Sequence, residues 1–338
     1  MMSWITDVEG VLAGHAHDME ALTGCTVVLV PEGAVVGVDV RGSAPGTRET
    51  DLMRPGNLVE KAHAIVLSGG SAYGLDAASG VMEYLEEKGC GFNTAHGVVP
   101  IVGAAVIYDL DIGNPRRRPD RLMGRQACEN AAAGPVQEGN VGAGVGATVG
   151  KAMGPAYAMK GGLGTASARI TLPDGQEAVV AALAVVNALG DVVDPVGGGV
   201  LAGAYDRTAR RFLGSPGVAG AAGGAASVPG PVKGMAGGNT TVAVVATDVI
   251  LDKEGANKVA AMAHDGLARA IVPAHTMFDG DTVFCLSTGR RRLYGDRAAD
   301  ITAVGALAAQ VVAEAIVRAV RAADAAGGYP SVSSVNRA

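Results

Sequence analysis

Gly237-Gly238-Asn239-Thr240-Thr241-Val242-Ala243-Val244-Val245 is the stretch on which the reading of this chain turns. Glycine-rich sequence stops at two threonines and a β-branched apolar run begins at once, which predicts a strand over 241–251. The two glycines permit backbone angles that other residues avoid, so the Asn239 carbonyl can turn toward the Thr240 hydroxyl. Attack by that hydroxyl would give an ester, and water would then release Thr240 as a new N-terminus. A threonine hydroxyl is a weak nucleophile at neutral pH. A free α-amino group on the same residue, with a pKa near ~8, supplies a built-in base. The plainer reading of the same residues is a glycine loop running into a buried strand.

Just upstream, residues 214–239 are dominated by glycine, alanine, proline and serine with one charge, Lys233, and read as a flexible linker. Further back, residues 27–40 alternate around Pro31-Glu32-Gly33 and predict a β-hairpin. A short strand at 64–67 runs through Ser68-Gly69-Gly70-Ser71-Ala72-Tyr73-Gly74 into a helix over about 75–88. A strand is expected over 99–110, with Tyr108 near its end, and two more at 170–172 and 178–186 around the turn Pro173-Asp174-Gly175. Downstream, Asp252 caps a helix reaching about Ala270, and 282–287 is a strand. Asp300 caps a last helix with Ile301, Val304, Leu307, Val311, Ile316 and Val320 at near-helical spacing. Buried strands with helices toward both ends predict a layered α/β protein, sheets inside and helices outside. Hairpins imply mixed or antiparallel sheets and disfavour a doubly wound dinucleotide fold.

The chain has 338 residues, of which 49% are apolar and only 18% charged, so much surface is expected to be buried, some of it against other copies. A net charge of −6 and the short, acid-flanked runs Arg116-Arg117-Arg118 and Arg290-Arg291-Arg292 argue against a nucleic-acid partner. Residues 1–7 lack the basic segment and apolar core of a secretory signal. Apolar runs such as 178–186 are too short to cross a bilayer, so no membrane is expected. Cys25, Cys90, Cys128 and Cys285 form no CxxC pair and read as reduced, mostly buried thiols of a cytoplasmic protein.

Several motifs resemble known sites and fail in detail. Gly69-Gly70-Ser71-Ala72-Tyr73-Gly74 is not a nucleophile elbow, because Tyr73 stands where G-x-S-x-G needs glycine. It reads better as a turn at a helix start whose backbone N–H groups line a pocket. Gly146-Ala147-Thr148-Val149-Gly150-Lys151 is one residue short of a phosphate loop, and Ala152 replaces the magnesium-binding hydroxyl. The glycines before it, Gly144 among them, still permit close backbone approach to a ligand. His15 and His17 lack a third metal ligand and are expected in a loop. Asp279-Gly280-Asp281 has too few acids for a calcium loop. It is an ordinary turn or a like-charge pair facing a pocket.

Taken together, these pieces resemble the self-cleaving peptidases that include the DmpA-type L-aminopeptidase/D-amidases, the β-peptidyl aminopeptidases and the 6-aminohexanoate-oligomer (nylon) hydrolases. The likeness spans nearly the whole chain. It runs through 5–11, 38–42, 68–75, Lys160-Gly161-Gly162-Leu163-Gly164-Thr165 and Gly238-Asn239-Thr240-Thr241, in the family's order. It implies a four-layer αββα sandwich in one domain, 1–338, cut between Asn239 and Thr240 into fragments 1–239 and 240–338 that stay together, as a homo-oligomer such as a tetramer of cleaved heterodimers. Thr240 matches the family nucleophile and Asn187 an asparagine whose amide donates to an oxyanion. Lys151, Tyr108, Asp279 and Asp281 match positions of the nylon-hydrolase branch. The resemblance therefore implies an amidase or aminopeptidase acting on short peptides or ω-amino-amide oligomers through an acyl-enzyme, with no metal and no cofactor. Asp281 would hold the ammonium form of the Thr240 amine, Asp279 would meet the hydroxyl or Lys151, and Tyr108 would position substrate. Acyl transfer of the ornithine-acetyltransferase kind is an alternative, although Asn239-Thr240-Thr241-Val242 lacks that family's Ala-Thr-Met-Leu setting. A non-catalytic oligomeric binding protein with an intact chain is another.

Overall fold

The computed structural model describes residues 3–172, 175–215 and 238–335. Strands β1 (Leu12–Asp18), β2 (Thr23–Val40), β3 (Thr47–Arg48), β4 (Lys61–Ser68) and β5 (Val102–Val106) come from the first third of the chain. They are followed by β6 (Gly162–Thr171), β7 (Glu177–Asn187), β8 (Thr240–Val249) and β9 (Thr282–Arg291). These nine strands form one hydrogen-bonded path in the order β6-β7-β8-β9-β2-β4-β5-β3, with β1 on β2. The β8–β9 and β4–β5 pairs are parallel and the other neighbours antiparallel, so the sheet is mixed. The principal helices are α1 (Ala77–Glu87), α2 (Arg121–Glu129), α3 (Lys253–Ala270) and α4 (Arg297–Ala322).

The two-residue period of the strands sorts side chains into three apolar layers. On β7, Val180, Ala182, Ala184 and Val186 pack against Val259 and Leu267 of α3 and Val311 and Ile316 of α4. The intervening Val179, Ala181, Leu183 and Val185 meet Val28, Ile65 and Leu67 from the other half of the path. On β2, Val27 and Leu29 point the opposite way from Val28 and pack with Val81 and Leu85 of α1 and Met123 of α2. Helices, sheet, sheet, helices is the αββα order that the resemblance implied. Each fully buried valine or leucine contributes about 1.5–3 kcal/mol relative to exposure, so a residue on the wrong face of β7 would be costly.

The hairpin expected over 27–40 is instead one 18-residue strand. Gly33 takes φ +74°, and the register against β4 shifts between Leu29 and Ala34. The chain bends there and continues, so that β2 pairs with β1 and β4 up to Leu29, with β4 again at Ala34 and Val35, and with β9 from Val35 to Val40. Proline and glycine suit a bulge as well as a turn, and only the partner strands distinguish the two. The last helix is capped by Asp296, which accepts the Ala299 N–H at 2.7 Å, whereas Asp300 lies in its first turn and accepts the Tyr294 N–H at 2.8 Å. By length and composition α4 is apolar enough to cross a membrane, which the short runs read in the sequence did not anticipate. Here its Val304, Val311, Ile316 and Val320 lie in the core. His15 and His17 sit in β1 rather than in a loop, and among the described residues no group of three or more His, Cys, Asp or Glu could hold a metal. Residues 173–174 of the predicted turn and 216–237 of the predicted linker lie outside the described residues.

Candidate active site

Thr240 opens β8, which β7 and β9 flank, so three strand ends converge on it. It sits opposite Asn187, the last residue of β7, and two residues later Val242 sits opposite Thr282, the first of β9. Thr240 and Asn239 are buried, at 3% and 1% exposure. The Thr240 hydroxyl donates to the carbonyl oxygen of Asn239, its own preceding residue. The same oxygen accepts the Gly280 N–H at 2.9 Å. Gly280 is glycine for a steric reason. A Cβ there would lie 2.7 Å from Thr240 Oγ1 and 2.7 Å from the Ala44 carbonyl. Gly42 is equally constrained, because its Cβ would lie 2.3 Å from the Asp281 nitrogen and 2.4 Å from the Asp279 oxygen. The segment after β2 thereby clamps the turn between the two aspartates, with the Arg41 N–H on the Asp281 carbonyl at 3.0 Å and the Ala44 N–H on that of Asp279 at 2.9 Å.

Asn187 is the hub on the other side. Its Oδ1 accepts from the Thr148 N–H at 3.0 Å and Lys151 Nζ at 2.9 Å, and its Nδ2 donates to the Tyr108 carbonyl at 3.0 Å and to the Gly238 carbonyl at 3.5 Å. Lys151 Nζ also donates to the carbonyls of Gly238 at 2.9 Å and Asn187 at 3.2 Å. Burial pulls the Lys151 ammonium down to about 7, opposed by the charges of Asp279, Asp111 and Asp109. Tyr108 enters this network through its backbone oxygen. Its phenol is half-buried, with its pKa raised by burial and then by the Asp111 carboxylate.

The two aspartates do different things. Asp281 Oδ1 accepts the Thr241 N–H at 2.7 Å, and its Oδ2 accepts the His275 N–H at 3.0 Å and His275 Nδ1 at 2.8 Å. Asp279 Oδ2 accepts from the Thr276 N–H at 2.9 Å and the Thr276 hydroxyl at 2.5 Å, and its Oδ1 meets the Leu189 N–H at 3.5 Å. Burial, and then the charge of Asp281, push the Asp279 carboxyl above its ordinary value. The structure thus gathers Thr240, Asn239, Asn187, Lys151, Asp279, Asp281 and the Tyr108 backbone at one place.

The glycine turns expected to line the pocket are engaged elsewhere. The Gly69 N–H donates to the Gly24 carbonyl at 2.9 Å, Gly70 to Asp109 Oδ1 at 2.6 Å, Ser71 to the Ile107 carbonyl at 3.0 Å, and Gly144 to the Val141 carbonyl at 2.8 Å. A buried N–H takes the nearest acceptor, and here each acceptor is internal. Gly280 occupies the position those turns were expected to fill, and no sequence signal beyond its two acidic neighbours pointed to it. Sequence reading also missed Lys160, which is fully buried and donates to the Val145 and Ala147 carbonyls at 2.8 and 2.6 Å. Burial brings it to about 7. Thr148, whose N–H holds Asn187, pairs with Lys160 in a short antiparallel ladder, so this lysine fixes the loop behind the hub.

The sequence profile of peptidase family S58 matches residues 3–332. The chain belongs to that family. It is 43% identical to an uncharacterized aminopeptidase of Mycobacterium leprae, over 98% of this chain and 93% of that one. It is 33% identical to a 6-aminohexanoate-oligomer endohydrolase of Kocuria, over 93% of this chain and 85% of that one. In three dimensions it is similar to the L-aminopeptidase D-Ala-esterase/amidase of Ochrobactrum anthropi, described as a variant of the Ntn-hydrolase fold. The TM-score is 0.72 at 21% identity, over 97% of this chain and 88% of that one. A Burkholderia β-aminopeptidase gives 0.72 at 22% identity, over all of this chain and 93% of the other. As an S58 peptidase the chain is a hydrolase of peptide or amide bonds with an Ntn-hydrolase-like fold.

Proposed function

We propose that this S58 peptidase is a threonine amidohydrolase that activates itself by cutting the Asn239–Thr240 bond and then cleaves small peptides or ω-amino-amide oligomers. The observation that carries the reading is the Thr240 hydroxyl hydrogen-bonded to the carbonyl of the bond it would attack, with the Gly280 N–H on the same oxygen. In the first reaction Thr240 Oγ adds to the Asn239 carbonyl carbon. The C–N bond breaks, the hydroxyl proton passes to the Thr240 nitrogen, and an ester results. Water hydrolyses it, leaving an Asn239 carboxylate and a Thr240 with a free amine. The single domain 1–338 then consists of fragments 1–239 and 240–338.

In the second reaction the Thr240 amine, with a pKa near ~8 for an unperturbed terminus, takes the hydroxyl proton and returns it to the leaving amine. Departure of the tail frees the Gly280 N–H, and it removes the Gly238 carbonyl from Asn187 Nδ2 and Lys151 Nζ. A substrate carbonyl placed where the Asn239 carbonyl was meets the same donor. One such oxyanion contact is worth about 3–4 kcal/mol. Asp281, already on the Thr241 N–H, lies one peptide from the new terminus and is placed to hold it. The relatives' names, aminopeptidase in one case and 6-aminohexanoate-oligomer endohydrolase in another, support amide substrates of this kind. The test is intact-mass analysis of the wild type beside Thr240→Ala. By share of 33.6 kDa, wild type should give fragments of about 24 and about 10 kDa, and the variant one unbroken, inactive chain. An active, uncut wild type would end the proposal.

A further inference from the structure

We propose that His275 is a positioning residue of this active site, holding Asp281 in the orientation that serves the first two residues of β8. The inference rests on Thr240 as nucleophile and adds a residue that the sequence reading left without a role.

Three donors hold the Asp281 carboxylate, and two of them belong to His275: its backbone N–H and its Nδ1, on Oδ2 at 3.0 and 2.8 Å. The third is the Thr241 N–H on Oδ1. A carboxylate only accepts, so Nδ1 carries the proton of a neutral His275 ring. Replacing the histidine leaves the backbone N–H in place but removes Nδ1, so that oxygen loses the shorter of its two donors and the carboxylate is held less firmly against Thr241. The histidine is itself held in place. Its backbone is left-handed, φ +57°, a region that asparagine tolerates better than most side chains. Its ring stands edge to face on His264, with centroids 4.8 Å apart and an interplanar angle of 73°. His264 is anchored in turn by Nε2 on the Asp39 carbonyl at 3.0 Å, and burial draws its pKa down to about 4. The titratable and charged groups around this pair are Asp281, Asp279, Asp39 and Arg41. His275 Nε2 is buried with no hydrogen-bond partner among the described residues, so the ring's one hydrogen bond there is the one to Asp281.

Asparagine carries an N–H on the same Cγ as histidine's Nδ1 and suits the left-handed backbone. Glycine suits the backbone but offers no side-chain donor. The full chain is prepared as wild type, His275→Asn, His275→Gly and Thr240→Ala. Each is assayed for self-cleavage by intact mass, for kcat and KM on the aminoacyl p-nitroanilide that wild type turns over best, and for thermal midpoint. His275→Gly should lose at least about tenfold in kcat with little change in KM, as a misplaced catalytic group does, and His275→Asn should recover most of it. Glycine performing like wild type, or a folded asparagine variant as slow as glycine, overturns the assignment. Should the glycine variant not accumulate, His275→Asp decides: it matches asparagine in shape but sets a second carboxylate against Asp281, and wild-type turnover in it is equally fatal. Failure of the nucleophile reading shows separately, as turnover in Thr240→Ala.

Discussion

Gly280→Ala is the smallest change that tests the site's geometry. Gly280 has no left-handed backbone to strain, so the effect is steric alone. The added Cβ would stand 2.7 Å from Thr240 Oγ1 and 2.7 Å from the Ala44 oxygen, where ordinary contact begins at about 3.4 Å. Either the hydroxyl or the loop between the aspartates must therefore give by about 0.7 Å. The first option moves the nucleophile off the Asn239 carbonyl, and the second moves the N–H that donates to it. A misplacement near 1 Å costs on the order of a hundredfold in rate, and loss of one oxyanion donor costs a hundredfold or more. Overpacking adds about 1–3 kcal/mol of destabilisation. The assay is the time course of self-cleavage after expression, followed by gel and intact mass, with the thermal midpoint measured on the same samples. A slowing of about a hundredfold with a modest fall in midpoint is expected. Cleavage at the wild-type rate would refute both the placement of Thr240 and the role given to the Gly280 N–H.

Asn187→Leu leaves the Thr148 N–H and the Tyr108 carbonyl without their Asn187 partner and takes one of three acceptors from Lys151 Nζ. At about 1–3 kcal/mol for each orphaned group, denaturant melts should show a loss of several kcal/mol, and mass analysis an uncut chain. Asp279→Asn should raise stability at neutral pH while reducing turnover. The folded pKa of Asp279 is raised, so its burial penalty is absent below the ordinary carboxylate pKa, builds as pH rises above that value and is complete above the folded one; melts at pH 3 and pH 7 compare the two regimes. Lys151 and Lys160 carry the opposite sign. With folded pKa values near 7, against about 10.4 unfolded, each makes stability rise with pH above 7, by about 1.4 kcal/mol per unit. Lys160→Met should remove its own share, about 1.4 kcal/mol per unit or half of the two lysines' combined slope, in urea melts between pH 7 and 8.5, and an unchanged slope would show that the buried lysine stays charged.

The strand after Thr240 was legible because its apolar run is continuous, as befits a strand flanked by β7 and β9 and buried on both faces by the two apolar layers. The cap at Asp252 was equally legible, since its carboxylate accepts the Gly255 N–H at 2.7 Å within three residues. Local chemistry of this kind needs no partner from elsewhere in the chain. The course of β2 was not legible, because Pro31-Glu32-Gly33 fits a reversal and a bulge equally well until β4 and β9 take their places. Asp300 was misjudged as a cap for a similar reason, as Asp296 offers the same chemistry one turn earlier.

By itself, the sequence determined the alternation of the strands, the layered α/β class and the one threonine set behind two glycines. The residues that surround that threonine come from four separate stretches of chain, and each motif alone also suits an ordinary turn. Only the tertiary structure decided that Gly280 rather than the turn at 69–71 faces the Asn239 carbonyl, that Lys160 braces the loop behind Asn187, and that His275 holds Asp281. The reason is that a buried donor binds whichever acceptor packing brings within about 3 Å, and strand pairing across hundreds of residues, not local propensity, sets which one that is.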